Sequence, residues 1–115
     1  MRKLSNSILR LLADVPFRRR DWSDHELAHF HHVINALRDD GISIETDRGV
    51  TDEGEPWFAF CDSESEEVFG HFARIRGKYV VCVRYLNGCR TGRALPDLVN
   101  LFESDLRMLI QRRPR

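Results

Sequence analysis

Long apolar runs are missing from this 115-residue chain. A membrane-spanning helix needs about 18 or more consecutive apolar residues, so no segment reads as a span. Cysteine is scarce and odd in number, with Cys61, Cys82 and Cys89 at spacings that form no close ligand pair. A secreted disulfide framework is therefore not expected, and the three are read as buried thiols in or beside strands. A glycine-rich phosphate loop is also missing. Gly88-Cys89-Arg90-Thr91-Gly92-Arg93 has neither the Lys-Ser nor the Lys-Thr of a P-loop and reads as a connecting turn. Near the N-terminus Arg2 and Lys3 precede an apolar segment that Ser5, Asn6, Ser7 and Arg10 interrupt, which excludes a signal-peptide core and implies a cytoplasmic protein. There is no internal repeat.

An excess of one charge is likewise absent, since 18 Lys and Arg balance 18 Asp and Glu. With 42% hydrophobic and 31% charged residues, the length and composition fit one globular domain. The balance hides a segregation along the chain. Residues 1–20 carry a net +5, 21–40 a net −4, 41–67 a net −8, 68–93 a net +6 and 94–115 a net +1. Such alternating blocks neutralise one another within a fold or between two chains more readily than they steer nucleic acid.

The stretch from Gly41 to Tyr85 holds most of the aromatic and β-branched residues. Ile42 and Ile44 alternate with Ser43 and Glu45, the period of a half-buried strand. Asp47-Arg48-Gly49 and Asp52-Glu53-Gly54-Glu55-Pro56 read as breaks. Trp57 to Cys61 is apolar on both faces, and Val68 to Ile75 and Tyr79 to Tyr85 form a hairpin through Arg76-Gly77-Lys78. This predicts an antiparallel meander of about four strands.

Helical periodicity flanks the meander. Leu4, Ile8, Leu11 and Leu12 predict a short amphipathic helix from Leu4 to Asp14, followed by the basic linker Arg18-Arg19-Arg20. Ser23 and Glu26 have the spacing of a capping box, Leu27, Phe30, Ile34 and Leu37 make a stripe, and Gly41 supplies a stop. Pro96 suits a first helical turn, and Leu98, Val99, Leu101, Phe102, Leu106, Leu109 and Ile110 predict a closing helix with a bend near Glu103-Ser104-Asp105. The expected organisation is an N-terminal helix and linker over residues 1–20 and a single α+β domain over 21–115. Two main helices pack on the meander, and Ile34, Trp57, Phe60, Phe72, Val81 and Phe102 share one core.

Several motifs carry chemistry. His25-Glu26-Leu27-Ala28-His29 matches H-E-x-x-H, and His32 falls on the same helical face, so His25, His29 and His32 are candidate metal ligands. The motif sits in a first turn where Glu26 is already a cap, and no distant third ligand is evident. A solvated histidine face is the expectation, with no cofactor. The acidic run Asp47, Asp52, Glu53, Glu55, Asp62, Glu66 and Glu67 lacks the order of a calcium-binding EF-hand loop. A helix, strands and a second helix resemble restriction-type nucleases, but Glu67-Val68-Phe69 lacks the expected lysine.

Asp21-Trp22-Ser23-Asp24, the run Thr46-Asp47-Arg48-Gly49-Val50-Thr51-Asp52-Glu53-Gly54-Glu55-Pro56-Trp57-Phe58-Ala59-Phe60-Cys61, and Gly70-His71-Phe72-Ala73-Arg74-Ile75 resemble a module of uncharacterised alphaproteobacterial proteins. The resemblance covers Asp21 to Leu109 and implies a bacterial source without an activity. In that pattern position 29 is not tied to histidine.

These readings select Asp52, Glu53, Glu55, Trp57, His71 and Arg74 as candidate binding residues. His71 reads as a strand histidine, either buried and satisfied by a neighbour or part of a site. A salt bridge from Asp52, Glu53 or Glu55 to Arg74 or Arg84 is the conservative use of those charges. The functional expectation is a non-enzymatic interaction or regulatory module that binds a protein partner or forms a homodimer. The alternative is a nucleic-acid-processing or metal-dependent enzyme using the acidic residues of 47–62.

Overall fold

A computed structural model describes residues 21–84 and 88–111. The expected helix over Leu4 to Asp14, the linker through Arg20 and the tail from Arg112 to Arg115 lie outside the described residues. Helix α1 (Asp24–Asp39) is followed by β1 (Ile44–Val50), β2 (Pro56–Asp62), β3 (Val68–Ile75), β4 (Lys78–Val83) and β5 (Arg90–Gly92), and helix α2 (Leu95–Gln111) closes the domain. The five strands pair in chain order, each antiparallel to its neighbour. The architecture is thus the expected α+β meander, with one short strand more than the sequence suggested.

Local chemistry explains the boundaries. The Ser23 hydroxyl accepts from the Glu26 amide and the Glu26 carboxylate accepts from the Ser23 amide, so the capping box forms in full. Helix α1 stops where Gly41, at φ +81°, donates its N–H to the Arg38 carbonyl. The β3–β4 hairpin turns on Arg76 and Gly77, both at positive φ, the geometry of a type I′ turn whose twist matches its strands.

One expected break is a strand. Asp47, Arg48 and Gly49 continue β1 in register with Ala59, Phe58 and Trp57. Gly49 is there for packing, because a Cβ on it would stand 2.7 Å from the Trp57 indole. The turn itself is confined to residues 51–55, where the Thr51 amide donates to the Glu55 carbonyl and the Gly54 amide to the Thr51 carbonyl.

Both helices lie on one face of the sheet. Phe30 of α1 stacks on Phe58 at 4.4 Å between ring centroids, and Phe102 of α2 meets Phe60 at 4.7 Å and Phe72 at 5.1 Å. Ile34, Phe60, Phe72, Val81 and Phe102 belong to one buried cluster, as expected. Trp57 does not. It is one residue out of phase with Phe58 and Phe60, so it lies half-buried on the opposite face. Phe69 joins the core against simple alternation, because it is the extra residue of a bulge between the Phe60–Gly70 and Cys61–Val68 pairs. Helix α2 runs without interruption through Glu103-Ser104-Asp105, where a bend was expected.

The cysteines depart from the expectation of free thiols. Cys82 and Cys89 form a disulfide with Cα atoms 4.5 Å apart, tying the end of β4 to the start of β5, and only Cys61 is free. A separation of seven residues gave no spacing cue. No helix among the described residues is long and apolar enough to cross a membrane.

Candidate functional site

The candidate residues divide between two places. Glu53, Glu55 and Arg74 meet at one end of the sheet, where the β1–β2 turn, the β3–β4 turn and the start of α1 enclose a basin of about 790 Å³. Asp21, Ser23, Glu26 and Arg76 complete its polar lining. Asp52 is exposed on the same turn but does not line the basin. Trp57 and His71 are elsewhere, on the sheet face away from the helices.

At the basin floor Arg74 is engaged. Its Nη1 donates to Glu26 Oε1 at 2.6 Å and its Nη2 to the Asp21 carbonyl at 2.9 Å. The guanidinium also stands 5.5 Å from the centre of the Trp22 ring, a cation–π distance. Among the described residues the bridges expected from Asp52, Glu53 or Glu55 to Arg74 or Arg84 are not seen. Glu26 from α1 pairs with Arg74, and Glu67 pairs with Arg84 at 3.4 Å.

Glu26 is the residue sequence reasoning undervalued. Besides capping α1, it accepts from the Tyr79 hydroxyl at 2.5 Å. Burial pushes its carboxyl upward, but the hydrogen bonds from Tyr79, the Ser23 amide and Arg74, with the Arg74 charge, outweigh burial and hold it below the ordinary carboxylate range. Burial and the hydrogen bond to Glu26 push the Tyr79 phenol up to about 12. Trp22 roofs the cluster, edge-on to Phe30 and stacked on Tyr79, with its indole N–H donated to the Trp57 carbonyl at 3.1 Å. The capping-box spacing disclosed Glu26, whereas partners 48 and 53 residues away leave no local signal. This cluster is a clamp between α1 and the β3–β4 hairpin, with its polar atoms mutually satisfied.

The second place is the uncovered sheet face. Strand registers set its side chains in rows across the strands. Asp47, Ala59, His71 and Cys82 form one row, and Gly49, Trp57, Ala73, Val80 and Thr91 form the next. Trp57, Cys61, Ala73, Ile75, Val80 and Cys82 are each half-buried, and His71 is exposed among them rather than buried. Among the described residues no element packs on this face. Burial, with the Asp47 and Glu45 charges, pushes the Cys61 thiol up.

The histidine and acidic candidates stay apart. His25 and His29 meet edge-to-face at 5.0 Å on the outer side of α1, where His32 is exposed. Asp47 pairs across from Ala59 on the open face, whereas Asp62 pairs across from Ile44 on the helix side. Asp62 is buried, and its Oδ1 accepts from the Glu64 amide, which shapes the β2–β3 turn. Among the described residues no three of His, Cys, Asp and Glu gather into a metal-holding group. Comparison with protein-family models, with curated proteins and with solved structures finds no match for the chain.

Proposed function

We propose that this chain is a non-enzymatic bacterial interaction module of the cytoplasm that pairs with a second copy of itself through the uncovered sheet face. The observation that supports this most is the charge polarity of that sheet. Residues 41–67, net −8, contain β1, β2 and their turns and set Glu45 and Asp47 on the open face, whereas residues 68–93, net +6, contain β3 to β5 and set Lys78 on it. A twofold axis parallel to the strands, running outside the sheet over the open face of β3, lays the acidic side of one copy over the basic side of the other. The same operation sets Trp57 and Ala59 against Val80 and Cys82. An isologous interface needs this kind of self-complementarity, and half-buried apolar side chains supply its centre.

Nucleic acid gains less support, because Arg74, Arg84 and Arg90 are paired with Glu26, Glu67 and Asp105. The metal-dependent alternative gains less because Asp47 and Asp62 point to opposite faces of the sheet and Asp52, Glu53 and Glu55 lie in the turn beyond it. Light scattering across a concentration series, at low and high salt, tests the proposal. A dimer mass that falls to the monomer mass in Val80→Asp, with helical content kept, is the expected result. A monomer at every concentration and salt would overturn it, and co-elution of the monomer with an unrelated protein would move the reading to a different partner.

A further inference from the structure

We infer that the Cys82–Cys89 disulfide is a thiol-exchange site, opened by a dithiol reductant with His71 as the proton donor. Three observations place it there. Cys89 is exposed, so one sulfur is open to an attacking thiolate, whereas Cys82 is half-buried. His71 stands directly across from Cys82 in the β3–β4 register and is exposed on the same face. Cross-strand neighbours of this kind stand about 5 Å apart at Cβ, within reach of an imidazole and a sulfur. The bridge also joins β4 to an edge strand of only three residues. Opening it therefore loosens an edge while leaving the core rings, which lie on the other face, in place.

The exchange balances with a dithiol as reductant. Its thiolate attacks Cys89 Sγ, a mixed disulfide forms, and the electron pair of the broken S–S bond leaves on Cys82 Sγ. That thiolate takes a proton from His71, which regains one from solvent, and the second thiol's proton goes to Cys89 in the step that follows. The second thiol of the reductant then attacks the mixed disulfide, freeing Cys89 and leaving the reductant as a disulfide. Two electrons and two protons have passed to the protein. Cys61 does not compete, since burial and two carboxylates disfavour its thiolate. Disulfides in cytoplasmic proteins are usually transient, catalytic or redox-sensing, so the biological setting, but not the chemistry, rests on the location proposed above.

The test uses full-length protein with Cys61→Ser, treated with dithiothreitol at fixed concentration from pH 6 to 8 and followed by mass spectrometry of alkylated thiols. The other ionisable groups facing His71 from the neighbouring strands are Asp47 and Glu45 on β1 and Lys78 on β4. The expected result is a bridge that opens without denaturant and with circular dichroism unchanged, several-fold more slowly in His71→Ala. A bridge that opens only in denaturant would overturn the site. Equal rates for His71→Ala at every pH would overturn the role of His71. Oligomer mass plays no part in either readout, so failure here is distinguishable from failure of the dimer.

Discussion

Tyr79 donates its hydroxyl to Glu26 at 2.5 Å, although 53 residues separate the two. The same carboxylate receives Arg74 and the Ser23 amide, so one side chain closes a helix end and fastens it to a hairpin.

Removing that carboxylate leaves Arg74 and Tyr79 without their shared partner. Breaking a buried pair from one side costs about 3–5 kcal/mol, whereas losing one hydrogen bond to a charged group costs about 1.5–3 kcal/mol. Glu26→Ala is therefore expected to lower the urea midpoint clearly more than Tyr79→Phe. Equal, small losses in both variants would mean that the clamp contributes little.

Acid and alkali should weaken the clamp from opposite sides. Because the Glu26 carboxyl is held below its ordinary value of 4.5, its contribution is full above that value and is lost as pH falls through the lowered one. Tyr79 is raised from 10.0 to about 12, so its contribution is full below 10 and is lost as pH rises toward 12. Denaturation midpoints of the wild type and Tyr79→Phe, compared across pH, should converge at the alkaline end.

Phe60 touches Phe30, Phe58, Phe72 and Phe102 and is fully buried. Truncation to Ala opens a cavity between both helices and the sheet, at an expected cost of about 3–5 kcal/mol. Trp57→Ala, on the other face, should cost less in a monomeric reference state. Chemical denaturation of the two variants side by side decides the order.

Gly70 allows a close approach. A Cβ there would lie 2.8 Å from the Cys82 carbonyl oxygen and 2.8 Å from the Phe102 ring. Overpacking of this kind costs about 1–3 kcal/mol, so Gly70→Ala is expected to lower the melting temperature although alanine suits a strand no worse than glycine. A melting temperature at or above that of the wild type would contradict the packing at this position.

Sequence pattern carried the parts of this fold whose signals are local. Ser23 and Glu26 announced a helix start, Gly41 its end, and the apolar run from Trp57 to Cys61 a strand. It failed where the cause lies across the sheet. Gly49 looked like a turn residue because its neighbour Trp57 is eight positions away in the chain, and strict alternation sets Phe69 on the face of His71 because it knows nothing of a bulge. Glu53, Glu55 and Arg74 line one basin, but the partner that holds Arg74 is Glu26, on a different element. The three residues of β5 are too few for any period to be seen, and the Cys82–Cys89 bridge that anchors them has no spacing signature.

Since each strand pairs only with its neighbour in the chain, the sheet has no crossover to wait for. Contacts of short sequence separation form early, because little loop entropy opposes them, and proteins rich in them fold fast. The docking of α1 and α2, whose aromatic rings must find partners far along the chain, is then expected to come last. A kinetic probe at Trp22, which sits where α1 meets the hairpin, would report that late event, after the hairpins have already zipped from turn to turn.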